Sequence, residues 1–184
     1  MKILLIIIGV IVLLGLIIFL IFNGLVKAKN RVKEAFATMD VYLKKRWDLV
    51  PNLVEAVKGY AKHEESTLEE VIRFRNNNYD NFSEKDKLNA SEEITKGIGR
   101  LMAIAEAYPE LKANENFLHL SSELTKLEDE IANSRKYYNA TVRAYNNKVQ
   151  MFPSNIVAGI LKYEPENMFE AKEEEKENRE VNFK

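Results

Sequence analysis

The chain has no cysteine, which excludes disulfide staples, thiolate catalysis and cysteine-ligated zinc or iron–sulfur centres. Glycine and proline are scarce, seven and four in 184 residues, too little turn punctuation for an all-β fold. There are only two histidines, His63 and His119. His63-Glu64-Glu65-Ser66-Thr67 lacks the second histidine of a zinc-binding H-E-x-x-H helix. Neither histidine follows a glutamate at the three-residue spacing that di-metal bundles use. No Gly-x-Ser-x-Gly, P-loop or Gly-x-Gly-x-x-Gly stretch occurs. A formal net charge of −1 supplies no field that would favour nucleic acid, and the aromatic residues fall at helical spacing, as core residues do. The expectation is a protein with no catalytic residue, no metal site, no cofactor and no nucleic-acid partner, and hence not an enzyme.

What the chain does have is one long apolar run. Residues 3–22, Ile3 to Phe22, carry no charge, no polar side chain and no proline. Twenty helical residues at about 1.5 Å each cover roughly 30 Å, the hydrocarbon thickness of a bilayer. In lipid the backbone must satisfy itself, so this segment should be a transmembrane helix. It is too long for a signal-peptide core and leads into Asn23-Gly24-Leu25 rather than a small-residue cleavage site. Lys27, Lys29, Arg31 and Lys33 follow it, with Lys44, Lys45 and Arg46 beyond, whereas only Lys2 and the amino terminus precede it. By the positive-inside rule the N-terminus is outside and the following domain is cytoplasmic, at the cell membrane. The same bases can face anionic headgroups.

About 160 residues remain, enough for one domain with its own core. Apolar residues recur at helical spacing from Val32 to about Arg75, through Phe36, Met39, Leu43, Val50, Val54, Val57, Leu68 and Val71. This predicts one helix, kinked near Pro51. A polar loop over 76–86 follows. A second helix is expected from about Ser91, capped by Ser91 or Asn89 with Glu92 and Glu93 in its first turn, and carrying Ile94, Ile98, Leu101, Met102 and Ala105 to Tyr108-Pro109. Gly97 and Gly99 weaken it unless they admit a close neighbour. Asn114 or Asn116 opens the longest stripe, Phe117, Leu120, Leu124, Leu127, Ile131, Tyr138, Val142, Tyr145, Val149 and Phe152. Ser134 interrupts its heptad register, which then slips by one residue. A short last helix, capped by Ser154 or Asn155, carries Ile156, Val157, Ile160 and Leu161. Residues 164–184 are mostly charged and read as a mobile tail.

Several polar residues fall on or beside the apolar stripes: Arg46, Asp48, Asn52, Glu64, Glu106, Glu128, Arg135 and Asn139. Two readings stand. Their long side chains can snorkel to the seam rim, or they form a buried polar layer that fixes helix register or serves as an interaction site.

The sequence resembles the LemA family of bacterial membrane proteins over nearly the whole chain, up to about Ala171. The resemblance rests on Asn30-Arg31-Val32, Glu34-Ala35, Asp40-Val41 and Leu43-Lys44-Lys45-Arg46, then on Asp48-Leu49-Val50-Pro51-Asn52-Leu53-Val54-Glu55 and Val57-Lys58-Gly59-Tyr60-Ala61. It continues in Glu106-Ala107-Tyr108-Pro109-Glu110-Leu111-Lys112-Ala113-Asn114-Glu115-Asn116-Phe117, and in Ser134-Arg135, Tyr138-Asn139, Tyr145-Asn146 and Phe152-Pro153. Trp47 departs from the His or Tyr associated with that position. The resemblance implies an N-terminal anchor, an outward-facing N-terminus and a helical-bundle domain. It implies no particular reaction. Relatives among magnetosome membrane proteins suggest membrane organisation by analogy.

The expected architecture is all-α: a transmembrane helix over 3–22, then an elongated antiparallel bundle of about four helices over 25–163, then the tail. The first and third soluble helices are much longer than the second, so they must overhang, bend or pack against another copy. The expected function is a membrane-anchored, non-enzymatic scaffold or adaptor whose partners are the lipid bilayer, unidentified proteins and a second copy of itself. The alternatives are a signalling or sensing accessory and, behind it, an enzyme with an unrecognised site.

Overall fold

In a computed structural model of the protein, which describes residues 1–73 and 78–169, a single helix α1 (Lys2–Lys58) carries the chain out of the apolar run. Pro51 lies inside α1 without ending it, so the missing amide costs one hydrogen bond and not the helix. The helix stops instead before Gly59, where the amides of Tyr60 and Ala61 both turn back to the Val57 carbonyl, at 3.0 and 2.9 Å. The single helix expected from Val32 to Arg75 is therefore two. A 3-10 turn, Lys62–Glu64, separates α1 from α2 (Glu65–Arg73). Leu68 and Val71 are buried on either reading, because a one-turn interruption leaves the apolar spacing nearly in phase.

The loop expected over 76–86 is shorter where the structure describes it. Tyr79–Asn81 form a 3-10 turn, and Tyr79 is buried. Helix α3 (Glu84–Ala107) begins before Ser91, at a reciprocal capping box. Ser83 Oγ accepts the Asp86 amide at 3.2 Å, and Asp86 Oδ2 accepts the Ser83 amide at 3.4 Å. Ser91 is thus an interior residue of α3 and not its cap. Pro109 opens the one-turn α4 (Pro109–Lys112). Asn114 then caps α5 (Glu115–Gln150), its Oδ1 accepting the Phe117 amide at 3.0 Å. A cis Phe152–Pro153 peptide leads into α6 (Ser154–Ile160). Neither Ser154 nor Asn155 caps α6; Pro153 holds the cap position and Ser154 Oγ donates to the Met151 carbonyl at 3.0 Å. No strand occurs among the described residues.

The chain divides into two units, 37–134 and 1–36 with 135–184. In the first, α1 from Ala37 onward, α2, α3 and α5 up to Ser134 bury Met39, Leu43, Leu53, Val57, Leu101 and Ile131 between them. Each such side chain contributes roughly 1.5–3 kcal/mol of transfer free energy. A Cβ at Gly97 would stand 3.2 Å from a Val71 methyl, so this glycine admits α2 against α3; at Gly99 the space is open. Trp47 is buried against Tyr79 and Phe82, with ring centroids 5.3 and 5.8 Å apart.

In the second unit α1 and α5 run antiparallel. The Phe36 and Tyr138 rings meet edge-on at 6.0 Å, and further along Lys148 Nζ reaches the Gly24 carbonyl at 3.4 Å. Leu25, Val32, Val142, Tyr145 and Val149 are buried there. Helix α6 ends in a Schellman-type turn with Lys162 at φ 56°, where the Tyr163 amide bonds the Ala158 carbonyl at 2.9 Å. That turn sends residues 163–169 back along α5. Residues 164–169, expected to open a mobile tail, are held instead by hydrogen bonds; the rest of the expected tail lies outside the described residues. Phe152, the last residue of the α5 stripe, is exposed, as are Ile156, Ile160 and Leu161, and of α6 only Val157 and Ala158 are buried. The apolar run itself is long and apolar enough to cross a membrane, and none of its most apolar window is buried in the fold.

Candidate functional site

Two polar arrangements stand out, one in each unit. In unit 37–134 the centre is Arg46, fully buried at 0% exposure although its side chain carries a permanent charge. It sits on the inward face of α1 between Leu43 and Val50, where helical spacing places it regardless of its polarity. Its guanidinium donates to Glu128 Oε1 on α5 at 2.7 Å, to the Ser91 carbonyl on α3 at 2.9 Å, to Thr95 Oγ1 at 3.2 Å and to Ser91 Oγ. One cation thus ties three helices, and the planar fork of arginine suits that task better than a lysine ammonium would. Glu128 is itself 39% exposed, so the pair has one dry end and one wet end.

Nearly two turns earlier on α1, Asp40 accepts from the Tyr79 hydroxyl at 2.8 Å and from Lys87 Nζ at 2.5 Å. Lys44 and Lys87 lie over the Tyr79 ring, 5.5 and 5.1 Å from its centroid. Burial first, and then the hydrogen bond to the Asp40 carboxylate, push the Tyr79 phenol well above its ordinary range. It is a neutral donor at any physiological pH.

In the other unit two asparagines on α5, seven residues apart, each clasp the backbone of one residue of the returning segment. Asn139 Nδ2 donates to the Phe169 carbonyl and its Oδ1 accepts the Phe169 amide, both at 2.8 Å. Asn146 does the same with Glu166, at 2.8 and 2.9 Å. The preceding tyrosines add hydroxyl bonds, Tyr145 to the Glu164 carbonyl at 2.8 Å and Tyr138 to that of Asn167 at 3.2 Å. Burial, with the nearby Glu166, pushes the Tyr145 phenol above its ordinary range and keeps it a donor. The guanidinium of Arg135 stacks on the Phe169 ring at 4.0 Å. In the same unit, a groove of about 220 Å³ between α1 and α5 is lined by Lys27, Arg31 and Lys148 together with small residues such as Ala28 and Ala144.

Of the eight residues singled out from the sequence, Arg46 and Glu128 meet, and Asn139 and Arg135 hold the strap. The others do not join a common layer. Asp48 is exposed and accepts from Lys44 at 3.0 Å one turn away, Asn52 is exposed, and Glu64 is half-buried at the turn after α1. Glu106 is exposed and pairs with Lys112 at 2.6 Å. Helical spacing places Asp48, Asn52 and Glu106 near the stripe but not within it, and an exposed polar side chain keeps its hydration there. Ser134, at the register slip, is buried and bonds the Ile131 carbonyl at 2.9 Å, a local solution that needs no partner helix. Ser91, Thr95, Asp40, Tyr79 and Asn146 were not on that short list. The repeated Tyr-Asn pair at 138–139 and 145–146 was a readable signal for the clasp, whereas nothing local marks Tyr79. Among the described residues, no group of three or more His, Asp or Glu side chains is placed to hold a metal ion.

The family model described as "LemA family" matches residues 35–183. Protein LemA of Metamycoplasma hominis is 28% identical over 156 residues, covering 84% of this chain and 71% of the relative. Two shorter matches are Magnetosome protein MamQ 2 of Paramagnetospirillum magneticum, 33% identical over 88 residues, and Magnetosome protein MamQ of Magnetospirillum gryphiswaldense, 32% identical over 88 residues. Each of these covers 48% of this chain and 32% of the magnetosome protein. None of these names denotes a reaction.

Proposed function

The chain belongs to the LemA family, and from that premise we propose that it is a membrane-tethered scaffold or adaptor that presents a helical surface to protein partners on the cytoplasmic face of the cell membrane. The observation that carries this reading is the continuity of α1. One helix runs from the apolar segment through Asn23-Gly24 into the buried residues Leu25, Val32 and Phe36, with no linker between. Such a junction sets the register and distance of the folded part relative to the bilayer, which a flexible leash would leave free. The apolar seam of α5 from Tyr138 to Val149 is already buried within its own unit, where α1 packs on it and the returning strap bonds Tyr138 and Tyr145, so protein partners come before self-association in this reading.

The experiment is in-membrane crosslinking of the intact protein from photoreactive residues at exposed positions, followed by identification of the captured chains. A scaffold captures the same partner from neighbouring positions on one face. Capture that is equal from all faces, or absent, would sink the proposal. The unbroken helix also suits a second reading, an accessory that passes a membrane stimulus inward. A long Gly/Ser insertion after Asn23 separates the two: a scaffold keeps its partner, whereas a rigid transmitter loses its output.

A further inference from the structure

The corner between α5 and α6 leaves large apolar side chains uncovered in one place. Met151, Phe152, Ile156 and Ile160 are 59%, 79%, 56% and 75% exposed. Contacts within the same unit bracket this corner. Just before it, Lys148 Nζ touches the Gly24 carbonyl. Just after it, Tyr163 lies under Lys29, whose Nζ is 5.5 Å from the ring centroid. Because α1 and α5 are antiparallel here, following α5 past Lys148 leads toward lower numbers of α1. Both helices advance at about 1.5 Å per residue, so Met151 and Phe152 stand level with roughly residues 21–22, the end of the apolar run.

Charge follows the same division. From Met151 to Leu161 the chain has no charged residue, and Lys162 closes the stretch. Lys27, Arg31 and Lys148 edge the groove immediately behind the corner. An uncharged apolar tip with bases at its rear matches the layering of a membrane surface, with acyl chains in front and phosphates behind. At the height of residues 21–22 the bilayer that holds the anchor is already the adjoining apolar phase. We propose that the α5–α6 corner is a second foothold in the same leaflet. Phe152, Ile156 and Ile160 dip into the boundary between headgroups and acyl chains, and Lys27, Arg31 and Lys148 face the lipid phosphates. This rests on the reading that residues 3–22 span the bilayer. Two footholds, one spanning and one interfacial, prevent rotation about the α1 axis, which a single helix allows.

The chain has no cysteine, so each introduced one is unique. The full-length variants Ile156→Cys, Ile160→Cys, Leu14→Cys and Asp129→Cys would carry a nitroxide label, all at exposed positions. They are reconstituted in phosphatidylcholine/phosphatidylglycerol vesicles. Relaxation is then compared between oxygen, which concentrates in lipid, and a water-soluble nickel chelate. The expected result is a lipid-like ratio at 156 and 160, between those at 14 and 129, with spectra unchanged on dilution by unlabelled protein. The foothold is refuted if position 14 reads as lipid while 156 and 160 read as water like position 129. It is equally refuted if the 156 and 160 spectra show dipolar broadening that dilution removes, because a second copy then covers the corner. A water-like reading at position 14 overturns the spanning reading, and the foothold with it.

Discussion

At the residue scale the informative asymmetry is that between Arg46 and Glu128. The arginine is fully buried and the glutamate is partly in water. Removing the glutamate leaves a dry cation with only neutral acceptors, whereas removing the arginine leaves a carboxylate that water can reach. Glu128→Leu should therefore cost about 2–3 kcal/mol of unfolding free energy. Arg46→Met should cost less than that, and the double variant should recover much of the Glu128→Leu loss. Urea denaturation of the four proteins checks this, and equal losses in the two single variants would contradict it. Tyr79 makes a second prediction. Its pKa is raised in the folded state, so above its unfolded value the unfolded chain binds fewer protons and stability falls with rising pH. Its contribution is intact below about pH 10 and declines above that. Tyr79→Phe should flatten the alkaline limb of a stability–pH curve while lowering the plateau by about 1 kcal/mol through the lost hydrogen bond to Asp40.

At the scale of elements, Gly97 and Gly99 have the same local propensity and different surroundings. An added methyl at Gly99 meets nothing within 4 Å, so Gly99→Ala should stabilise the protein by about 0.5–1 kcal/mol. At Gly97 the same methyl meets Val71 at 3.2 Å, and Gly97→Ala should forfeit that gain or reverse it. Thermal unfolding distinguishes the two, and equal shifts would show that α2 yields easily. These helices were well marked by their apolar faces. Val32, Phe36, Met39, Leu43, Val57, Leu101, Leu124, Val142 and Tyr145 are all buried as their spacing implies. Helix ends were less legible. The break after Lys58 preserves the apolar phase, and the true start of α3 depends on a capping box at Ser83 that is outranked by the richer run at Asn89–Glu93. The clasp on residues 164–169 was hidden for a different reason. A segment bound through its own backbone carries no side-chain signature, and the recognising signal sits far away on α5.

For the whole molecule, the charge distribution about the apolar run carries the orientation proposed for the domain. A cysteine placed at exposed position 129 (Asp129→Cys) should resist a membrane-impermeant maleimide in intact cells and react once the membrane is permeabilised. Reaction in intact cells would reverse the assigned orientation. The all-helical class, the membrane-length apolar segment and the family follow from patterns that are local or linear: scarcity of glycine and proline, length of an uncharged run, periodicity, and ordered motifs. Those patterns suffice because helix formation and bilayer matching depend on residues near one another along the chain. Which polar residues meet was decided only in three dimensions. Arg46 pairs with Glu128 while Arg135 stacks on Phe169, and α6 exposes the residues that periodicity would bury. Periodicity reports that a face is apolar, but what covers that face depends on contacts between distant segments, and no local pattern encodes them.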